Sequence, residues 1–98
     1  MFRHVVLFRL TESADSHVRE EILNGLALLP TQIPSIKRFV FGRDAGIASG
    51  NFDIAVIADF ADQAAYLEYS THSAHVEFVR KCVRPYLQER SAVQFELT

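Results

Sequence analysis

The stretch Phe2-Arg3-His4-Val5-Val6-Leu7-Phe8-Arg9-Leu10 says more about the fold than any other in the chain. Side chains of an extended chain alternate between two faces. Phe2, His4, Val6, Phe8 and Leu10 therefore point one way, and Arg3, Val5, Leu7 and Arg9 the other. Both faces are apolar in the middle, the mark of a strand covered on two sides rather than one. Residues 52–60 repeat the pattern, with Phe52, Ile54, Val56, Ala58 and Phe60 set against Asp53, Ala55, Ile57 and Asp59.

After the first strand, Thr11 to Asp15 is a polar helix entry with Ser13, Asp15 or Ser16 as its cap. Val18, Ile22, Leu26 and Leu29 then recur at helical spacing, opposite Arg19, Glu20 and Asn24, and Pro30 is expected to end the helix. Ile36 to Phe41 reads as a second strand. It leads into a polar loop, Gly42 to Asn51, that holds three of the four glycines and lies between two strands. Asp62 caps a helix carrying Ala65, Tyr66 and Tyr69. The hydroxyl-rich run Ser70 to Ser73 interrupts it, since such side chains compete for backbone partners. A second helical piece bears Val76, Val79 and Val83, with Cys82 turned away from its apolar stripe, until Pro85. Ser91 to Leu97 closes the chain as a strand, with Val93, Phe95 and Leu97 alternating against Ala92, Gln94 and Glu96.

The order β-α-β-β-α-β over residues 1–98 predicts one α+β domain of ferredoxin-like topology, a four-stranded antiparallel sheet with its helices on one face. Helices on one face leave the other bare. Val6, Phe8, Ile54 and Val56 are expected on the bare side, and His4 with them. An apolar face of that size calls for a second copy packed sheet to sheet, so the expected partner is the protein itself, as a homodimeric barrel.

Composition narrows the function classes. Ten Lys and Arg against twelve Asp and Glu give a net charge of −2, which offers no electrostatic footprint for nucleic acid or an anionic membrane. The single Cys82 cannot form an internal disulfide. Residues 1–10 are too short and too charged for a signal peptide, and no apolar run approaches spanning length. The expected setting is cytoplasmic. The glycine loop opens no helix, so no phosphate-binding cofactor is expected. His72 and His75 with His4 could reach one ion, but no carboxylate or cysteine completes the set, and no metal is expected.

The remaining signal is Tyr69-x-x-His72-x-x-His75. Taken with the Arg3-His4-Val5-Val6-Leu7-Phe8 strand and the central Phe52-Asp53-Ile54-Ala55-Val56 strand, it resembles the stress-responsive dimeric α/β-barrel (Dabb) family over essentially the whole chain. The resemblance implies a ferredoxin-like subunit that dimerises through its sheet. One plant member folds a linear polyketide and closes its ring with the tyrosine and last histidine of this motif. Those positions correspond to Tyr69 and His75, and its first-strand pocket histidine to His4. Ser73 stands where that enzyme has proline, and Ile54 where it has a pocket histidine.

The chemistry expected is cofactor-free proton transfer on a small hydrophobic carbonyl compound, by cyclisation or isomerisation, in a small apolar pocket. An imidazole titrating near neutrality suits His75 as general base. Tyr69 would donate to the developing oxyanion, and His4, Val6, Phe8 and His72 would contact the ligand. Tyr66 and Phe78 match the apolar stripes and read as core. A ligand-binding or stress-protective dimer without catalysis is the alternative reading, and a cofactor-independent monooxygenase a third. Because His4 is expected on the bare face, a shared pocket requires residues 69–75 to curl over the barrel mouth.

Overall fold

A computed structural model describes residues 1–98. The elements are β1 (Phe2–Leu10), α1 (Ser16–Gln32), β2 (Ile36–Arg43), β3 (Ile54–Phe60), α2 (Gln63–Thr71), α3 (Ser73–Phe78) and β4 (Leu87–Glu96). A π-helical turn at Val79–Val83 and a 3-10 turn at Arg84–Tyr86 join α3 to β4. The four strands form one sheet in the order β2-β3-β1-β4, each neighbouring pair antiparallel, which is the ferredoxin-like arrangement. The two strands read as covered on both sides, β1 and β3, are the central ones. No helix is long and apolar enough to cross a membrane.

Local chemistry sets the helix starts. Asp15 accepts from Val18 N at 2.9 Å and Asp62 from Ala65 N at 2.8 Å, so each carboxylate satisfies an otherwise orphaned first-turn donor. Pro30 does not end α1. The helix runs on to Gln32 because Ile33, buried to 1% exposure, is pulled into the core and its N–H closes the last turn on Leu29 O. The proline removes one donor, and burial of Leu29 and Ile33 together holds the last turn against that loss. The final strand starts at Leu87, four residues ahead of the expected Ser91.

The core lies between the sheet and α1. Ile22, Leu26, Leu29 and Ile33 pack on Val6, Phe8, Ile54, Val56, Ala58 and Phe60, all buried. This reverses the expected assignment of faces: Val6, Phe8, Ile54, Val56 and His4 lie under the helices. Alternation within a strand pairs residues onto a face but does not say which face the helices take. The uncovered face is the other set. Val40, Ile57, Val5 and Val93 form one cross-strand row over all four strands, with Leu7, Ala55 and Phe95 beside it. Val93 is 54% and Phe95 42% exposed. Arg3 closes one end of the patch by a two-pronged bond to Asp59 at 2.7 and 2.9 Å. The sheet thus has the uncovered apolar face expected of it, with different residues on it.

Candidate active site

The break expected between the helical pieces falls at His72, whose ψ of 137° is extended. Ser70 Oγ and Thr71 Oγ1 both donate back to Leu67 O, at 3.0 and 2.9 Å, and His72 Nδ1 accepts from Ala74 N at 3.0 Å to start α3. This cap uses His72 locally, and His72 is not among the residues lining the cavity formed by its neighbours. Its place is structural, as the joint between α2 and α3, rather than in contact with a ligand.

The bend turns Tyr69 and His75 toward each other, with ring centroids 4.4 Å apart. His4 on β1 lies 6.3 Å from Tyr69. These three side chains line one cavity of about 110 Å³, together with Val6, Phe8, Leu26, Val56, Phe78, Val79, Val83, Leu87 and Arg90. No curling over a barrel mouth is needed, since His4 already faces the helices. The π-helical turn contributes two of the apolar walls. Arg84 N–H bonds back five residues to Val79 O, and that wider turn sets Val79 and Val83 on the cavity and Cys82 partly into the core rather than away from it. A larger, more open depression of about 380 Å³ sits by the Gly42–Asn51 loop, without a histidine or tyrosine in its lining.

Hydrogen bonds set the ring protons. A carbonyl oxygen only accepts, so the 3.1 Å contact of His75 Nδ1 with Ser70 O places the proton on Nδ1 and leaves Nε2 as the basic nitrogen. Gln94 Nε2 donates to His4 Nδ1 at 2.9 Å, so the His4 proton resides on Nε2. Burial pushes His4 down to about 4, with the positive charge of Arg90 and the neighbouring His75 acting in the same direction. Burial also holds His75 below the ordinary histidine value. The Ser70 carbonyl opposes that shift, while Arg90 and His72 add to it. Burial and Tyr66 raise the Tyr69 phenol, and Arg90 pulls it back. At neutral pH the site presents a free imidazole lone pair, an imidazole N–H and a phenol, all uncharged. No group of three or more His, Cys, Asp or Glu side chains is placed to hold a metal.

Of the residues singled out from the sequence, His4, Val6, Phe8, Tyr69 and His75 are brought together, and His72 is not. Tyr66 packs among Phe2, His4, Phe60 and Tyr69, as a core residue should. Phe78, read as core, lines the cavity. Arg90 is a member of the site that the motifs do not mark. Extending the β4 alternation back to Leu87 finds it, since Arg90, Ala92 and Gln94 then share a face and stand across from Phe8, Val6 and His4.

Known proteins share this fold. The model of the stress responsive A/B barrel domain (Dabb) family matches residues 2–97. A stress-response A/B barrel domain-containing protein of Arabidopsis thaliana is 34% identical over 80 residues, covering 79% of this chain and 69% of that protein. A crystal structure from Thermobifida fusca, described as a dimeric ferredoxin-like protein of unknown function, superposes with a TM-score of 0.91 at 36% identity, covering 98% of this chain and 90% of that one. The hydroxynitrile lyase of Passiflora edulis shares the fold at 19% identity, with a TM-score of 0.86 over 99% of this chain and 93% of that one. With the family model matched over residues 2–97 and a curated relative 34% identical over 79% of the chain, the chain belongs to the stress responsive A/B barrel domain family.

Proposed function

We propose that this protein is a homodimer whose subunits each catalyse cofactor-free proton transfer on a small carbonyl compound. The observation that carries the reading is the Ser70 O contact of His75, because it leaves an unprotonated Nε2 beside the Tyr69 phenol in a partly open, largely apolar cavity. In the step envisaged, His75 Nε2 removes a proton from the carbon next to the carbonyl. The enolate oxygen takes hydrogen bonds from the Tyr69 hydroxyl and His4 Nε2–H. Returning the proton to another carbon completes an isomerisation; attack of the enolate carbon on a second carbonyl within the molecule breaks that carbonyl's π bond, and transfer of the His75 proton to the new alkoxide oxygen completes a cyclisation.

Size favours the first of these. Ligand pockets usually run to about 300 Å³ or more, and a dry cavity near 150 Å³ accepts benzene. A cavity of about 110 Å³ suits a substrate of a few carbons rather than an extended chain. Two observations support the dimer: the apolar row Val40-Ile57-Val5-Val93 across the bare sheet face, and the dimeric description of the Thermobifida fusca relative.

The test is deuterium incorporation next to the carbonyl of short ketones and 2-oxo acids in D₂O, followed by NMR. The wild type should exchange them faster than buffer does. His75→Ala should return the rate to background, and Tyr69→Phe should lower it about 10- to 100-fold. Exchange no faster than buffer across the series, or full exchange by His75→Ala, would defeat the reading. Ligand affinity within a few fold of wild type in His75→Ala, with no exchange by either protein, would mark a binding protein instead.

A further inference from the structure

We infer that the cavity takes a small organic acid, a 2-oxo or 3-oxo carboxylate of a few carbons, whose carboxylate is held by Arg90 at the mouth. The ketone's role rests on the proton-transfer reading above; the anchoring of the anion does not.

Three observations lead there. Arg90 is the only charged group in a lining that is otherwise hydrophobic apart from His4 and His75. It is also a free cation. Arg3, Arg9, Arg19, Arg43 and Arg80 each reach a carboxylate within the chain, at 2.7 to 3.2 Å; the side chains of Arg38, Arg84 and Arg90 make no ion pair, and of these three Arg90 alone lines the cavity. Third, the buried Tyr69, 3% exposed, has a hydroxyl with no hydrogen-bond partner in the chain and lines the same cavity. Ser35 Oγ is the one buried side-chain polar atom left without a partner, so the Tyr69 hydroxyl opens on the cavity, where with Arg90 it suits a ligand with a neutral oxygen inside and an anion at the entrance.

The architecture holds them in that order. On the helix-facing side of β4, Arg90, Ala92 and Gln94 stand across from Phe8, Val6 and His4. Gln94 is committed to His4 Nδ1, Ala92 offers no polar group, and Arg90 is left at the end farther from His4. With both histidines neutral, nothing in the lining offsets the guanidinium charge. A guanidinium binds a carboxylate through two parallel N–H donors, a geometry a ketone or alcohol cannot reproduce. Because Arg90 itself is exposed, water screens the pair and the expected gain is moderate.

The experiment compares 2-oxobutyrate with butan-2-one, in which a methyl replaces the carboxylate. Affinity is read from the imidazole NMR signals of His4 and His75, and exchange from loss of the C3 proton signal in D₂O. The wild type should bind 2-oxobutyrate at least about tenfold more tightly than butan-2-one, the scale of one charge-assisted hydrogen bond. Arg90→Leu should bring the two affinities together, while Arg84→Leu, at an exposed arginine that does not line the cavity, should leave the preference intact. Equal affinities in the wild type, a preference that survives Arg90→Leu, or no binding of either compound at tens of millimolar overturns the inference. Failure of the two readings looks different. Preference without exchange removes the proton-transfer reading and leaves the acid site standing; exchange of both compounds without preference does the reverse.

Discussion

Lowering the pH from 7 to 5 should cost this protein about 2 kcal/mol through His4 alone. The folded state holds His4 near 4, against about 6.5 in an unfolded chain. Protonation is therefore disfavoured only while the chain is folded. Between those two values the unfolded state carries more protons, so stability rises with pH through the window and is lost as pH falls from 6.5 toward 4. The whole window is worth about 3 kcal/mol at about 1.4 kcal/mol per unit, and more than half of it is gone by pH 5. His75, also held low, adds a loss of the same sign. Urea denaturation at a series of pH values, at one fixed protein concentration because dimerisation contributes by mass action, gives the slope. His4→Gln should flatten the curve by about 2 kcal/mol between pH 7 and 5. A His4→Gln curve parallel to the wild type would contradict this linkage, and so would an NMR titration of the wild-type His4 ring with its midpoint near 6.5. The titration needs no variant, so it decides the matter even where His4→Gln fails to fold.

Three further outcomes are set by the packing. Val5→Asp places a charge at the centre of the bare-face row without touching the core, and sedimentation at micromolar concentration should return monomers with native circular dichroism; a stable dimer would remove the assigned interface. Gly25→Ala adds a Cβ where the Phe78 ring lies against α1. The helix gains about 1 kcal/mol in propensity, but forcing the ring aside costs about 1–3 kcal/mol, so urea denaturation should show a net loss and the His75 signals should shift; a stabilised protein with unmoved signals would rule this out. Asp62→Ala strips the cap from α2 and should lower stability by about 1 kcal/mol by the same assay, against no change if the Ala65 N–H finds water at no cost.

Much of the site is legible in the sequence. Hydroxyls at Ser70 and Thr71 drawing on Leu67 O, and the His72 ring capping α3, are local effects, so sequence alone places the break to within a residue or two. Tyr69 and His75 facing one space is a consequence of that break. His72 departs from its expected ligand contact because the bend that turns its neighbours inward engages its own ring with the backbone. Arg90 gives no signal because the edge strand is exposed on most of its length and shows little apolar alternation to mark its start.

Period, capping and turn chemistry act along the chain, and they suffice for the order of elements, the ferredoxin-like class and the existence of an uncovered apolar face. Which face of β1 the helices cover is a matter of tertiary packing. His4, Val6 and Phe8 compete with Val5 and Leu7; Arg3 and Arg9 flank the second pair, but both sets are apolar at the centre, and alternation alone is blind to a flip of the whole strand. The winner is set by the shape of the opposing surface, where Leu26, Tyr69 and Val83 meet that side of the sheet. The same choice of face put His4 beside His75, and with it made a collection of polar residues into a site.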